Sequence, residues 1–255
     1  MSFPALHCFK WTRRRRAPAE ERLVRLRKVL DYMDVKYPET DPESALDRLP
    51  PGPPPLSSGR TDLQIFEFPL SFTGRIALLE GGFRPRHNIR EFAAADIGPI
   101  ARYQPEAMVC PLHVALLLAD QKERGLFNLP SLSVALVVLT RLDDSPLARC
   151  HRDLLWQAFR VPVFEQVLGW DGTVIARECE VHDGLHMAES AAIPHLHDDE
   201  LLVTQLTFFE EPLVRVRTGL AAEIVTGLCE CGSPTPRLRN LLPIAQKAAS
   251  ATGCD

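Results

Sequence analysis

The sequence predicts an α/β fold: a parallel αβ layer followed by a mostly antiparallel β lobe. Three observations carry this. Leu132 to Leu139 is a continuous, partly β-branched apolar run with the length of a strand buried on both faces. Val161-Pro-Val-Phe-Glu-Gln-Val167 is a second such run, and between the two Leu147, Leu154, Leu155, Trp156 and Phe159 form a helical apolar face. Two buried strands joined by a helix make a parallel crossover unit. Beyond Thr173 the helical periodicity stops, and strand-like segments follow at Thr173–Ala176, Leu201–Thr207 and Pro212–Gly219.

Composition narrows the class. A chain of 255 residues makes one large or two modest domains. A net charge of −4 supplies no field that draws nucleic acid or an anionic membrane, so neither is expected as a partner. No apolar run approaches the roughly 18 residues that span a bilayer. The opening MSFPALHCFKWTRRRR puts its charge after a short apolar piece, the wrong order for a secretory signal. The expected location is cytoplasmic, where seven cysteines serve as thiols or metal ligands rather than as a disulfide framework.

The chain divides by composition into residues 1–56, 57–172, 173–243 and a tail at 244–255. The first segment opens with the basic run Arg13 to Arg16, which reads as a solvated tail or as a contact for RNA, phosphate or an acidic partner. Pro18 then starts an amphipathic helix to about residue 34. Glu20 and Glu21 lie in its first turn, and Leu23, Leu26, Val29, Leu30 and Met33 recur at helical spacing. Such a helix needs a surface, either the body of the protein or a partner. Pro38, Pro42, Pro50, Pro51 and Pro53 to Pro55 make the next stretch an extended linker.

In the 57–172 segment, Leu63, Ile65, Phe66, Phe68, Ile76, Leu78 and Leu79 alternate as strands until Gly81-Gly82. Residues 95–125 read as helix in two pieces, punctuated at Cys110-Pro111, with His113 a structural histidine in the second. Asp143-Asp-Ser-Pro146 reads as the cap of the crossover helix. The loop after the second buried strand holds Asp171, which either holds a cation such as Mg²⁺ or serves as a turn aspartate before Gly172.

The most unusual chemistry lies in the 173–243 segment. Cys179 and His186 are separated by six residues, and Cys229 and Cys231 by one. Three cysteines and one histidine fill a tetrahedral zinc site, and Gly232 gives the Cys-x-Cys turn its freedom. His182 is the alternative nitrogen ligand. The competing reading is a set of reduced cysteines packed as small hydrophobes. Four protein ligands leave no open position, so a bound zinc would be structural. Strand alternation puts Arg215 and Arg217 on one face, to contact an anion or to pair with Glu178, Glu180 or Glu200.

The order Glu178-Cys-Glu180…Gly184-Leu-His186, Arg215-Val-Arg-Thr-Gly219, Cys229-x-Cys-Gly232 resembles the phenylacetate-CoA ligase and coenzyme F390 synthetase branch of the adenylate-forming enzymes. There, ECE-x-x-x-GLH is followed by RYRTGDL and C-x-CG. The resemblance spans roughly residues 100–243. It implies part of the large domain of that fold, with the cysteines and the histidine where the family has its own, and with no C-terminal lid domain or lid lysine. It also implies that Asp171, Arg215, Arg217 and Thr218 fall on the nucleotide side. Several family features are replaced. Leu220 stands where the family's aspartate grips the ribose hydroxyls, and Leu168 where an aromatic residue stacks on adenine. Ser57-Ser-Gly-Arg-Thr-Asp62 faintly resembles the family's phosphate loop, but Arg60 and Asp62 replace its small residues, and the stretch reads as a solvent-exposed turn after the proline linker.

Three functional readings follow. The first is a degenerate, truncated relative that keeps the scaffold and a structural zinc, and acts as a binding or accessory subunit with a protein partner, an acyl or CoA-type small molecule remaining a candidate ligand. The second is an active ligase using ATP and Mg²⁺, completed by a partner chain. The third is an adaptor that works through its basic N-terminal segment.

Overall fold

The computed structural model describes residues 68, 72–80, 83, 87–94, 97–142, 144–205 and 213–244. The expected basic tail, amphipathic helix, proline linker and Ser57–Asp62 loop lie outside these residues, as do the strand positions Leu63, Ile65 and Phe66. Eleven strands form one sheet in the order β2-β1-β3-β4-β5-β6-β7-β11-β10-β9-β8.

The first half is parallel. β1 (Ile76–Leu79), β2 (Ile89–Phe92), β3 (Ala107–Pro111), β4 (Ala135–Arg141) and β5 (Val163–Leu168) all run in one direction. The helices α1 (Ile97–Tyr103), α2 (Leu112–Glu123) and α3 (Arg149–Phe159) lie between β2 and β3, β3 and β4, and β4 and β5. The two apolar runs read from sequence are β4 and β5, joined by α3 as expected. From β6 on, every pairing is antiparallel: β6 (Val174–Glu178), β7 (Leu185–Met187), β8 (Ala192–His197), β9 (Glu200–Gln205), β10 (Leu213–Val225) and β11 (Arg237–Pro243). No helix of the described residues is long and apolar enough to cross a membrane.

Four local expectations change. The punctuation at Cys110-Pro111 is a whole strand: Ala107, Met108, Val109 and Cys110 are fully buried between β1 and β4, and Pro111 falls at the strand end, where its missing N–H costs nothing. Ala148 is the N-cap of α3 and no side chain caps it, so the acidic run before it does not perform that job. The apolar face of α3 is narrower than its sequence implies. Leu155 and Phe159 are buried, whereas Trp156 is half exposed, with the Arg160 guanidinium 4.8 Å from its ring centre. Finally, β10 is irregular between Leu213 and Val216, with Arg215 at a φ of 50°, so simple alternation does not hold around Arg215.

The parallel half carries an apolar cluster on each face. One is built from α1, α2, α3 and residues such as Leu79, Met108, Leu136 and Val138. The other contains Leu78, Val109, Val137 and Phe164. A third cluster fills the antiparallel half around Trp170, Ile175, Leu201 and Val216.

Candidate metal centre and the nucleotide-side loops

Two loops meet at the junction of β7 and β11. The first follows β6: Cys179 comes directly after the strand, and the His182 N–H donates to the Cys179 carbonyl at 3.1 Å to close a turn. The chain then returns as β7, with His186 paired to Arg177 on one side and Arg237 on the other. Gly184 makes the return feasible. Its φ is 89°, and a Cβ there would lie 2.7 Å from the Leu238 carbonyl oxygen. The second loop joins β10 to β11. The Gly232 N–H donates to the Cys229 carbonyl at 2.8 Å and the Cys229 N–H to the Ser233 carbonyl at 2.9 Å. A φ of 86° at Gly232 closes this turn.

These loops bring Cys179, His186, Cys229 and Cys231 together, with ligand atoms all within 4.8 Å of one another. Cys179 Sγ and Cys229 Sγ are 3.9 Å apart, and Cys231 Sγ and His186 Nε2 are 3.5 Å apart. In a zinc tetrahedron the S···S edge is about 3.8 Å and the S···N edge about 3.6 Å, from Zn–S bonds of about 2.3 Å and Zn–N bonds of about 2.0–2.1 Å. The donor set and these two edges fit the ion. The other ring nitrogen of His186, Nδ1, lies 2.9 Å from Thr235 Oγ1, which in turn lies 2.9 Å from Ser233 Oγ. A ring protonated at Nδ1 leaves the Nε2 lone pair facing the sulfurs, the outer support that metal-binding histidines use. Burial, then the Arg237 and Arg177 charges, holds His186 below its ordinary pKa, so the ring is neutral at neutral pH. Burial pushes the Cys179 thiol up to about 11, whereas the Cys231 backbone N–H holds Cys229 below the ordinary thiol range.

His182 lies outside this group. Its ring stacks on Phe164 with centres 4.6 Å apart, and its Nδ1 is 3.5 Å from Glu178. The sequence offers Glu178 as part of a motif and as a candidate partner of Arg215 or Arg217, and the structure pairs it with Arg152 instead. Its carboxylate is a buried hub: Arg152 of α3 grips it through two nitrogens at 2.8 and 3.1 Å, and the Glu165 N–H of β5 donates to it at 2.7 Å. Asp183 likewise bridges Arg237 and Arg239 of β11. The Arg239 guanidinium holds the Asp183 carboxyl below the ordinary carboxylate range. This ion pair therefore adds stability above the ordinary aspartate pKa, and that stability is lost as pH falls through the lower folded-state value. A ¹³C titration of the carboxyl should give a midpoint below that of an unpaired aspartate, and Arg239→Leu should raise it toward the ordinary range, with Arg237 still beside the carboxyl.

The residues expected on the nucleotide side have internal partners. Asp171 accepts from the Thr173 N–H and hydroxyl, both at 2.9 Å, and from the Gln205 amide. Gln205 also accepts from the Trp170 N–H at 2.9 Å, and a Cβ at Gly169 would collide with it. Arg217 pairs with the buried Glu200, the carboxylate pairing anticipated above, and Glu200 also accepts from the Gly219 N–H at 3.1 Å. The Thr218 hydroxyl donates to the Leu201 carbonyl at 2.8 Å and accepts from the Leu220 N–H at 3.1 Å. Arg215 reaches Thr204 through its backbone N–H. Leu220 is buried in the β10–β11 pair, and Leu168 is buried within β5.

No protein-family model matches the chain, and no curated protein matches it. Solved structures do. One is 2-hydroxyisobutyryl-CoA ligase in an open conformation in complex with 2-HIB-AMP and CoA. It has a TM-score of 0.54 and 14% identity, covering 65% of this chain and 44% of that one. The same ligase in its thioesterification state gives a TM-score of 0.54 and 14% identity, covering 67% and 42%. The chain thus spans less than half the length of these enzymes. The sheet of parallel then antiparallel strands described above is part of the adenylate-forming acyl-CoA ligase fold.

Proposed function

We propose that this protein is a degenerate relative of the phenylacetate-CoA ligase and coenzyme F390 synthetase branch. In this reading it keeps a structural zinc at Cys179, His186, Cys229 and Cys231 and acts as a cytoplasmic binding or accessory subunit with a protein partner. The observation that carries the loss of nucleotide chemistry is Leu220. It is buried where the resemblance places the ribose-binding aspartate, and it offers no acceptor to a hydroxyl. Ribose hydroxyls left unpaired there would cost about 1–3 kcal/mol for each buried group. The engagement of Asp171, Arg217 and Thr218 with internal partners supports the same reading. A working division into a 57–172 α/β part and a 173–243 β lobe is supported by the change to antiparallel pairing at β5 and β6.

The metal supplies one thing when bound: a four-ligand cross-link between the β6–β7 loop and the β10–β11 loop. An acyl or CoA-type ligand stays within the proposal because the 2-hydroxyisobutyryl-CoA ligase of similar fold was solved with 2-HIB-AMP and CoA. Isothermal titration of the full chain with ATP–Mg²⁺ and with a non-hydrolysable acyl-AMP analogue tests the reading. No binding is expected below about 1 mM, which corresponds to about −4 kcal/mol. Micromolar affinity for either would favour an active ligase that uses ATP and Mg²⁺.

A further inference from the structure

Arg237 opens β11 and is 5% exposed. The pairing of β7 with both neighbours sets Arg177, His186 and Arg237 side by side across three strands, on one face of the sheet. Arg177 is exposed, and water screens its charge. Arg237 has no such relief. A buried guanidinium needs an anion, and acceptors for its N–H groups. The described residues supply little of either. Asp183 lies 3.5 Å from Nη1 of Arg237, but the Arg239 guanidinium also holds that carboxylate. The Nε–H of Arg237 is buried with no hydrogen-bond partner. An orphaned donor on a buried cation is costly, unless an anion belongs beside it.

The sulfurs supply one. The Cys231 backbone N–H first, with the Arg237 side chain among the smaller contributors, holds the Cys229 thiol below its ordinary range. The Arg237 charge also adds to burial in keeping His186 neutral. Three thiolates against one divalent ion leave a single excess negative charge on the centre, and one buried guanidinium cancels it.

We propose that Arg237 is the charge partner of the metal centre: its Nε–H donates to the Cys229 sulfur when that sulfur is a metal-bound thiolate, and its guanidinium neutralises the excess negative charge of the four-ligand site. This rests on the zinc reading and deepens it. Arg237 and the ion then depend on each other. Without the ion the guanidinium is a buried charge short of an anion, and without the guanidinium the ion is held less tightly. An arginine that only braced β11 through Asp183 would contribute equally with and without zinc.

Arg237→Met separates these roles, because it keeps a long apolar stem and removes the charge and the donors. Zinc affinity is read by competition with a chromophoric chelator, and the thermal midpoint is read in zinc-loaded and chelator-treated protein. The zinc dissociation constant is expected to rise about 10- to 100-fold. The midpoint of the loaded variant should fall, and that of the chelator-treated variant should stay level or rise. Unchanged zinc affinity, or an equal midpoint loss in both states, would overturn the proposal and leave the zinc reading standing. A wild type with no zinc affinity would overturn both. Wild-type protein loaded with ¹¹³Cd tests the contact without a substitution, which covers a variant that fails to fold. The Hε of Arg237 should correlate with ¹¹³Cd through the hydrogen bond to sulfur. Bound ¹¹³Cd with no correlation to Arg237 would overturn the proposal.

Discussion

Cys231→Ala is expected to lower the thermal midpoint of the metal-loaded protein by roughly 10 °C and to leave the midpoint of the chelator-treated protein unchanged. The comparison works because Cys231 is only partly buried. Truncating its side chain creates little cavity, so its cost reports the metal rather than packing. A structural zinc in a small domain supplies on the order of 10 kcal/mol, and the total stability of a domain is about 5–15 kcal/mol. Loss of one ligand belongs among the mutations that cost more than about 4 kcal/mol. The damage should be local: hydrogen exchange should accelerate first in the β6–β7 and β10–β11 loops and in β7 and β11, which pair at His186 and Arg237. An equal loss in loaded and chelated protein would show that these four residues are a packed thiol cluster.

The second large effect is expected at Glu178→Ala, measured as the urea midpoint, with a loss of about 3–5 kcal/mol. Glu178 is almost completely buried, and its removal leaves the Glu165 N–H without this acceptor and the Arg152 guanidinium without its carboxylate, with the Val163 carbonyl still accepting from it. Arg152→Ala should cost a comparable amount, and the double variant less than the sum of the two, because each single change leaves a partner uncompensated. Glu178 also abuts Cys179, so the hub fixes the point from which the first sulfur projects. Zinc content should therefore be measured alongside the midpoint. An unaltered midpoint in Glu178→Ala would show that the Arg152 contact is a marginal surface pair.

The parallel core was legible because β4 and β5 are uninterrupted apolar runs, for which burial on both faces is the simplest account. β3 was not, because a five-residue strand beside a proline carries no period of its own and merges with the helices around it. β8 and β11 hid for a related reason: Pro194 interrupts the first and Asn240, at positive φ, the second. Alternation misled at Arg215 because the irregularity in β10 shifts the register there. At the site, cysteine spacing pointed to the four grouped residues, since a Cys-x-Cys turn and a distant Cys/His pair have few other uses. The carboxylate hub gave no such signal. Glu178 and Arg152 are 26 residues apart, and Asp171 and Gln205 are 34 apart, so nothing local links them.

The contacts between β9 and β10 bear on the proposed loss of nucleotide chemistry. Glu200 accepts from Arg217 and from the Gly219 N–H, and the Thr218 hydroxyl donates to the Leu201 carbonyl, so side chains as well as backbone tie β9 to β10. Leu220 beside them pairs with Pro243 of β11 and is buried, and it is the position on which the proposed loss of nucleotide binding rests.

Zinc K-edge X-ray absorption on the full chain, purified without chelator, tests the central claim most directly. The account predicts one zinc per chain with about three sulfurs at about 2.3 Å and one nitrogen at about 2.0–2.1 Å. Metal-free protein, or a zinc bound mainly by oxygen, would contradict it.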